Sequence, residues 1–134
     1  MRFVLDASAA LSLLLKEGGG QAENAVDVLF RQGRSAIVPT LFIHEVTNAL
    51  VMVIRRKRVD VAKAIELLDG LARLPIVVDE RTVRAPSVLE LAARHGLTAY
   101  NASYLELALS RSVALVSNDT ALLRAAASEG VQTS

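Results

Sequence analysis

Four short apolar runs, mostly of aliphatic residues, punctuate the chain: Phe3-Val4-Leu5, Ala36-Ile37-Val38, Ile76-Val77-Val78 and Val113-Ala114-Leu115-Val116. Apolar residues without polar alternation are the mark of strands buried on both faces, as in a parallel sheet. The intervening stretches have the length and spacing of helices, at about Ala9 to Leu15, Gln21 to Gln32, Leu41 to Arg56, Val61 to Leu71, Thr82 to Arg94, Ala99 to Ser110 and Thr120 to Ser128. Gly18-Gly19-Gly20 breaks the first helix, Gly33 ends the second, Pro39 follows a strand, and Gly96 and Gly130 fall at helix C-termini. No repeat or linker interrupts the pattern. The alternation predicts one α/β/α domain over residues 1–134, a parallel sheet of four to five strands flanked by about seven helices.

With 134 residues, 52% of them hydrophobic and 22% charged, the chain can bury roughly two thirds of its unfolded surface, so disorder is excluded. The absence of cysteine removes disulfide frameworks, thiolate metal sites and Cys nucleophiles. A net charge of +1 leaves any affinity for a polyanion to a local patch. No segment reaches the roughly 18 apolar residues of a membrane span, and Asp6 interrupts the first apolar run too early for a signal peptide. The expectation is a cytoplasmic protein without membrane contact.

Sheets of this kind place ligands beyond the carboxyl ends of their strands, and Asp6 and Asp119 follow strands at that edge. Each has a plainer use. Asp6 can cap the helix after it, and any of Ser117, Asn118 and Asp119 can cap the run Thr120-Ala121-Leu122-Leu123. Glu45 is harder to explain by local structure. Phe42, Val46, Ala49 and Val53 make an apolar stripe at helical spacing, and Glu45 lies three residues after the first and four before the third. A carboxylate at the core margin needs a partner, either an Arg in an ion pair or a bound cation. Asn48 shares its face and can hydrogen-bond it, whereas His44, about 100° around the helix, reads as a rim residue. Asn101 is third in a helix that Thr98 can cap, with Leu105 and Ala108 continuing its stripe. Three carboxylates and an amide so placed can hold a divalent metal, and the amide stands where a fourth carboxylate would complete the set.

The stretches Phe3-Val4-Leu5-Asp6-Ala7-Ser8, Glu45-Val46-Thr47-Asn48-Ala49-Leu50, Leu97-Thr98-Ala99-Tyr100-Asn101-Ala102-Ser103-Tyr104-Leu105 and Leu115-Val116-Ser117-Asn118-Asp119 closely resemble the PIN-domain family. Within it, the chain looks most like the VapC-type toxins of prokaryotic toxin–antitoxin pairs. The likeness covers essentially the whole length, in the family's order and spacing. It implies a compact α/β/α domain and a metal-dependent endoribonuclease activity that cuts RNA. By position, Asp6 would be the first metal-binding acid and Glu45 the second, with Asp119 closing the site, Ser117 assisting nearby, and Ser8 and Asn48 in supporting places. Asn101 occupies a position where the family usually has Asp. The resemblance further implies Mg²⁺ or Mn²⁺ as cofactor, a homodimer, and a small VapB-type antitoxin as partner.

Hard cations such as Mg²⁺ and Mn²⁺ prefer oxygen ligands. An amide keeps a carbonyl oxygen but supplies neither negative charge nor a base. Weaker metal binding and much slower cleavage are therefore expected, with fold and partner binding intact. The alternative is a degenerate PIN domain that binds RNA or protein without catalysis. Receiver domains and haloacid-dehalogenase-like phosphatases also place an Asp after the first strand. The latter need a second Asp where Ser8 stands, and the former need an acidic pair and a late Lys that this chain lacks.

The basic run Arg55-Arg56-Lys57-Arg58 reads either as a helix end that complements the dipole or as a contact for RNA phosphates. Aromatic residues are 4% of the chain, so shape and phosphate contacts outweigh base stacking, and Tyr100 and Tyr104, which bracket Asn101, read as packing. The Val28-Leu29-Phe30 cluster and the Val51-Met52-Val53-Ile54 run are apolar nearly all round, which suggests a buried helix, a dimer contact or an antitoxin groove.

Overall fold

The apolar runs pair as parallel strands, and the stretches between them coil into helices. The computed structural model describes residues 2–15 and 21–133. In chain order the elements are β1 (Arg2–Leu5), α1 (Ala7–Leu15), α2 (Gln21–Arg31), β2 (Ser35–Pro39), α3 (Phe42–Arg55), α4 (Val61–Ala72), β3 (Ile76–Asp79), α5 (Ala85–His95), α6 (Ala99–Arg111), β4 (Leu115–Val116) and α7 (Thr120–Ser128). The expected break at Gly18-Gly19-Gly20 lies outside the described residues. Every strand pairing is parallel and the order is β3-β2-β1-β4, with Val4 opposite Ile37 on one side and Leu115 on the other. Among the described residues no helix is long and apolar enough to cross a membrane.

The order dictates the layers. From β1 to β2 to β3 the chain steps in one direction, then returns across the sheet to β4. With the right-handed crossovers such sheets adopt, α1 to α4 cover one face and α5 and α6 the other. The helix contacts follow that division: α1 packs on α2, α3 and α4, while α6 packs on α5 and α7 and lies across β1 and β2. Phe3, Val4, Leu5, Ile37 and Val38 fill the sheet core, and Phe30 of α2 meets Phe3 with ring centroids 5.7 Å apart.

Four expectations change. Ile76-Val77-Val78 is not buried on both faces, because β3 is the sheet edge and Val77 and Val78 are exposed. The helix expected from Thr82 begins at Ala85, since Pro86 deeper in a helix would lack its hydrogen bond and clash with the preceding turn; it is tolerated in the first turn. The strand expected from Val113 shortens to Leu115–Val116, because the Val113 N–H is held by the Ala108 carbonyl at the end of α6. Finally, Val28 and Met52 are exposed while Val53 is buried, so those two helices each keep one solvent face. The glycine stops are realised at positive φ, with Gly96 at 64° capping α5 in the left-handed region that a side chain would disfavour.

Candidate metal centre

The strand order reverses between β1 and β4: the chain leaves β1 toward β2, yet β4 pairs with the other side of β1. The segments after those two strands diverge and leave a crevice at their carboxyl ends, the usual ligand position in an open parallel sheet. Asp6 follows β1 directly and Ser117 follows β4.

Asp6 is 3% exposed and fully engaged. Its Oδ1 accepts the Ala9 N–H at 2.9 Å and the Ser8 hydroxyl at 2.8 Å, and its Oδ2 accepts the Ser117 hydroxyl at 2.5 Å. Burial pushes the Asp6 carboxyl above the usual range; the bonds from Ser117, Ala9 and Ser8 oppose the rise, and the Asp119 charge adds to it. The two serines also brace the second loop, since Ser117 accepts the Asp119 N–H at 2.9 Å and Ser8 accepts the Asn118 N–H at 3.0 Å.

Asp119 caps α7, its Oδ1 accepting the Leu122 N–H at 3.0 Å. Its Oδ2 accepts the Asn101 side-chain amide at 3.2 Å. An ionised carboxylate has no proton to give, so Asn101 must turn its NH₂ toward Asp119. Asn101 itself is in the first turn of α6, where its backbone N–H is capped by Thr98 at 3.1 Å. Glu45 comes from the first turn of α3, on the other helical layer, and its Oε1 accepts the Tyr104 hydroxyl at 2.5 Å. Tyr104 is 1% exposed, and burial together with the Glu45 charge drives its phenol far above the ordinary tyrosine range, so it stays a donor.

Asp6, Ser8, Glu45, Asn101, Tyr104 and Asp119 therefore line one open pocket of about 290 Å³. Among the described residues no Lys, Arg or His forms an ion pair with its three acids; the cations pair with Asp27, Glu66, Asp79, Glu106 and Glu129 instead. A model of the PIN domain matches residues 3–128.

The chain belongs to the PIN-domain family. PIN domains are in general nucleases that use divalent metal ions. Solved structures that share the fold include the following three. PAE2754 from Pyrobaculum aerophilum is 29% identical with a TM-score of 0.72, over 99% of this chain and 83% of that one. FitAcB from Neisseria gonorrhoeae is 18% identical with a TM-score of 0.64, over 99% and 96%. VapC20 from Mycobacterium tuberculosis, a sarcin-ricin loop cleaving toxin, is 14% identical with a TM-score of 0.64, over 93% and 95%. No curated protein matches the chain.

The PIN pocket fits a divalent cation by its donor chemistry. Its walls offer carboxylate, hydroxyl and amide oxygens, and among the described residues no cationic side chain pairs with its buried acid Asp6. Among the described residues no three His, Cys, Asp or Glu side chains form a ready cage. A cage is not required, because Mg²⁺ keeps several waters and touches only one or two carboxylates.

The remaining candidates lie elsewhere. His44 and Asn48 are exposed, and neither lines the pocket; Glu45 takes its hydrogen bond from Tyr104 instead of Asn48. Arg55, Arg56, Lys57 and Arg58 are exposed at the far end of α3, roughly 15 Å along the helix from Glu45. Tyr104 was legible only as packing. A hydroxyl three residues beyond Asn101, on the same helix face, was the available signal for it.

Proposed function

We propose that this PIN-domain protein is a metal-dependent endoribonuclease of the VapC toxin type, impaired at its metal site by Asn101. Residues 1–134 form a single such domain in this reading. The observation that carries it is the pocket at the β1/β4 switch point, lined by three carboxylates and an amide and, among the described residues, by no cationic side chain.

Asp6, Glu45 and Asp119 would hold Mg²⁺ or Mn²⁺, directly or through its waters. When bound, the cation supplies an activated water and offsets charge gathering on the scissile phosphate. The protein's own contribution is orientation: Ser8, Ser117 and the Ala9 N–H hold Asp6, and the start of α7 holds Asp119. Asn101 works against this arrangement in two ways. It brings no charge and no base, and its NH₂ engages the one Asp119 oxygen that the cap leaves free. An RNA substrate, a VapB-type antitoxin, a second copy of the chain and a cytoplasmic setting complete the proposal. Exposed apolar side chains on α4 and α5, Val61, Ile65 and Leu89, leave surface for such partners.

The test is cleavage of a mixed-sequence RNA by the chain and by Asn101→Asp, each with Mn²⁺ and with EDTA. Asn101→Asp should cut in Mn²⁺ and stop in EDTA, with the unchanged chain far slower. Equal cleavage by both overturns the impairment. Two inert proteins that still bind RNA identify a binding module without catalysis, the reading that the Asn101–Asp119 hydrogen bond otherwise favours.

A further inference from the structure

Building on the metal-site reading above, we infer that Tyr104 is a positioning residue: its hydroxyl fixes the Glu45 carboxylate at the pocket wall without cancelling its charge. The three acids are held unequally. Asp6 is gripped by two hydroxyls and a backbone N–H, and Asp119 by the start of α7 and by Asn101. Glu45 has the longest side chain of the three and, among the described residues, a single hydrogen-bond anchor, the Tyr104 hydroxyl at 2.5 Å.

That anchor is rigid because Tyr104 is 1% exposed, its ring fixed by the core under α6. It is also neutral. Elsewhere on α6, Glu106 is held by the guanidinium of Arg81, which fixes the carboxylate but neutralises it. A phenol gives Glu45 comparable orientation and leaves its full charge for a cation. The bond joins α3 to α6, and so ties the two helical layers together at the mouth of the pocket. Asn101 lies one turn earlier on α6, so the helix that carries the altered position also carries the anchor of Glu45.

Mn²⁺ affinity, read by calorimetry and by the Mn²⁺ paramagnetic resonance signal on the full-length chain, tests this in the Asn101→Asp background. Tyr104→Phe keeps the ring and removes only the hydroxyl, and it should weaken Mn²⁺ binding by about tenfold or more, in the range found when a partner of a metal ligand is lost. Adding Tyr104→Phe to Glu45→Ala should cause no further loss, because the hydroxyl then has nothing to position. Binding within about twofold of the parent overturns the inference, as does an equal loss with and without Glu45, which marks a packing role. If the Asn101→Asp parent itself binds no Mn²⁺, the metal-site reading fails first.

Discussion

Two groups of buried or half-buried carboxylates face the carboxyl side of the same sheet, and the protein treats them in opposite ways. Asp79, at the end of β3, receives the Arg81 side chain at 2.7 Å and Arg111 at 3.2 Å, while Glu106 on α6 is paired with the same Arg81. Asp6 and Asp119, which follow β1 and β4, and Glu45 at the start of α3 are met by hydroxyls, backbone N–H groups and an amide. Burial alone would raise the Asp79 carboxyl, but the Arg81 hydrogen bonds and the charges of Arg111 and Arg81 outweigh it and hold the group below its usual range. Among the described residues no such cation reaches Asp6, and burial pushes it upward. Acids whose charge is already balanced build the fold; acids left unbalanced are where the proposed cation would bind.

An identical exchange on the two sides strains this contrast most. In the Asn101→Asp background, Asp6→Asn should lower Mn²⁺-dependent RNA cleavage on the order of 100-fold or more, whereas Asp79→Asn should leave it within about threefold. Parallel kinetic assays check both, and equal losses would erase the distinction. Next in size is Arg81→Ala, which strips Glu106 of its cation and leaves Asp79 with Arg111 alone. Urea unfolding should show a loss of about 3 kcal/mol with Mn²⁺ affinity unchanged; a loss under about 1 kcal/mol would demote the network to a surface contact.

Acid sharpens the comparison further. The folded Asp79 carboxyl lies below its ordinary value of 3.8, so its contribution is present above that value and is lost as pH falls through the lower folded one. The stability gap between the chain and Asp79→Asn, on the order of 1 kcal/mol at neutral pH, should therefore shrink in successive unfolding curves below pH about 4. A gap that widens in acid contradicts the pairing. The smallest effect belongs to the far end of α3: replacing Arg55, Arg56 and Lys57 with Ala should change cleavage by less than about threefold. A larger drop at low salt would extend the RNA path along the whole helix.

Much of the candidate site's placement could be read along the chain because its pieces are local signals. Asp6 and Asp119 follow strands and cap helices, and the structure shows both caps made, Asp6 to the Ala9 N–H and Asp119 to that of Leu122. The cap and the pocket are not competing uses, since the second oxygen of each carboxylate is turned to other partners. Thr98 caps Asn101 as its spacing suggested. What stayed hidden depends on distance. The partner of Glu45 is 59 residues away, and Arg81 reaches Glu106 across 25. The exposed face of β3 was equally invisible, because an edge strand and a central one carry the same aliphatic run.

The order of short apolar runs and amphipathic stretches determined an α/β fold with a parallel sheet, and the caps placed Asp6, Asn101 and Asp119 near element ends, because periodicity and capping act over a few residues. Only the tertiary structure decided that β4 returns beside β1 and opens a crevice there. It also decided that a buried tyrosine faces Glu45 and that arginines go to Asp79 and Glu106 while, among the described residues, hydroxyls and a backbone N–H go to Asp6. Those choices depend on which helix crosses which strand, and no local signal in the chain carries that information.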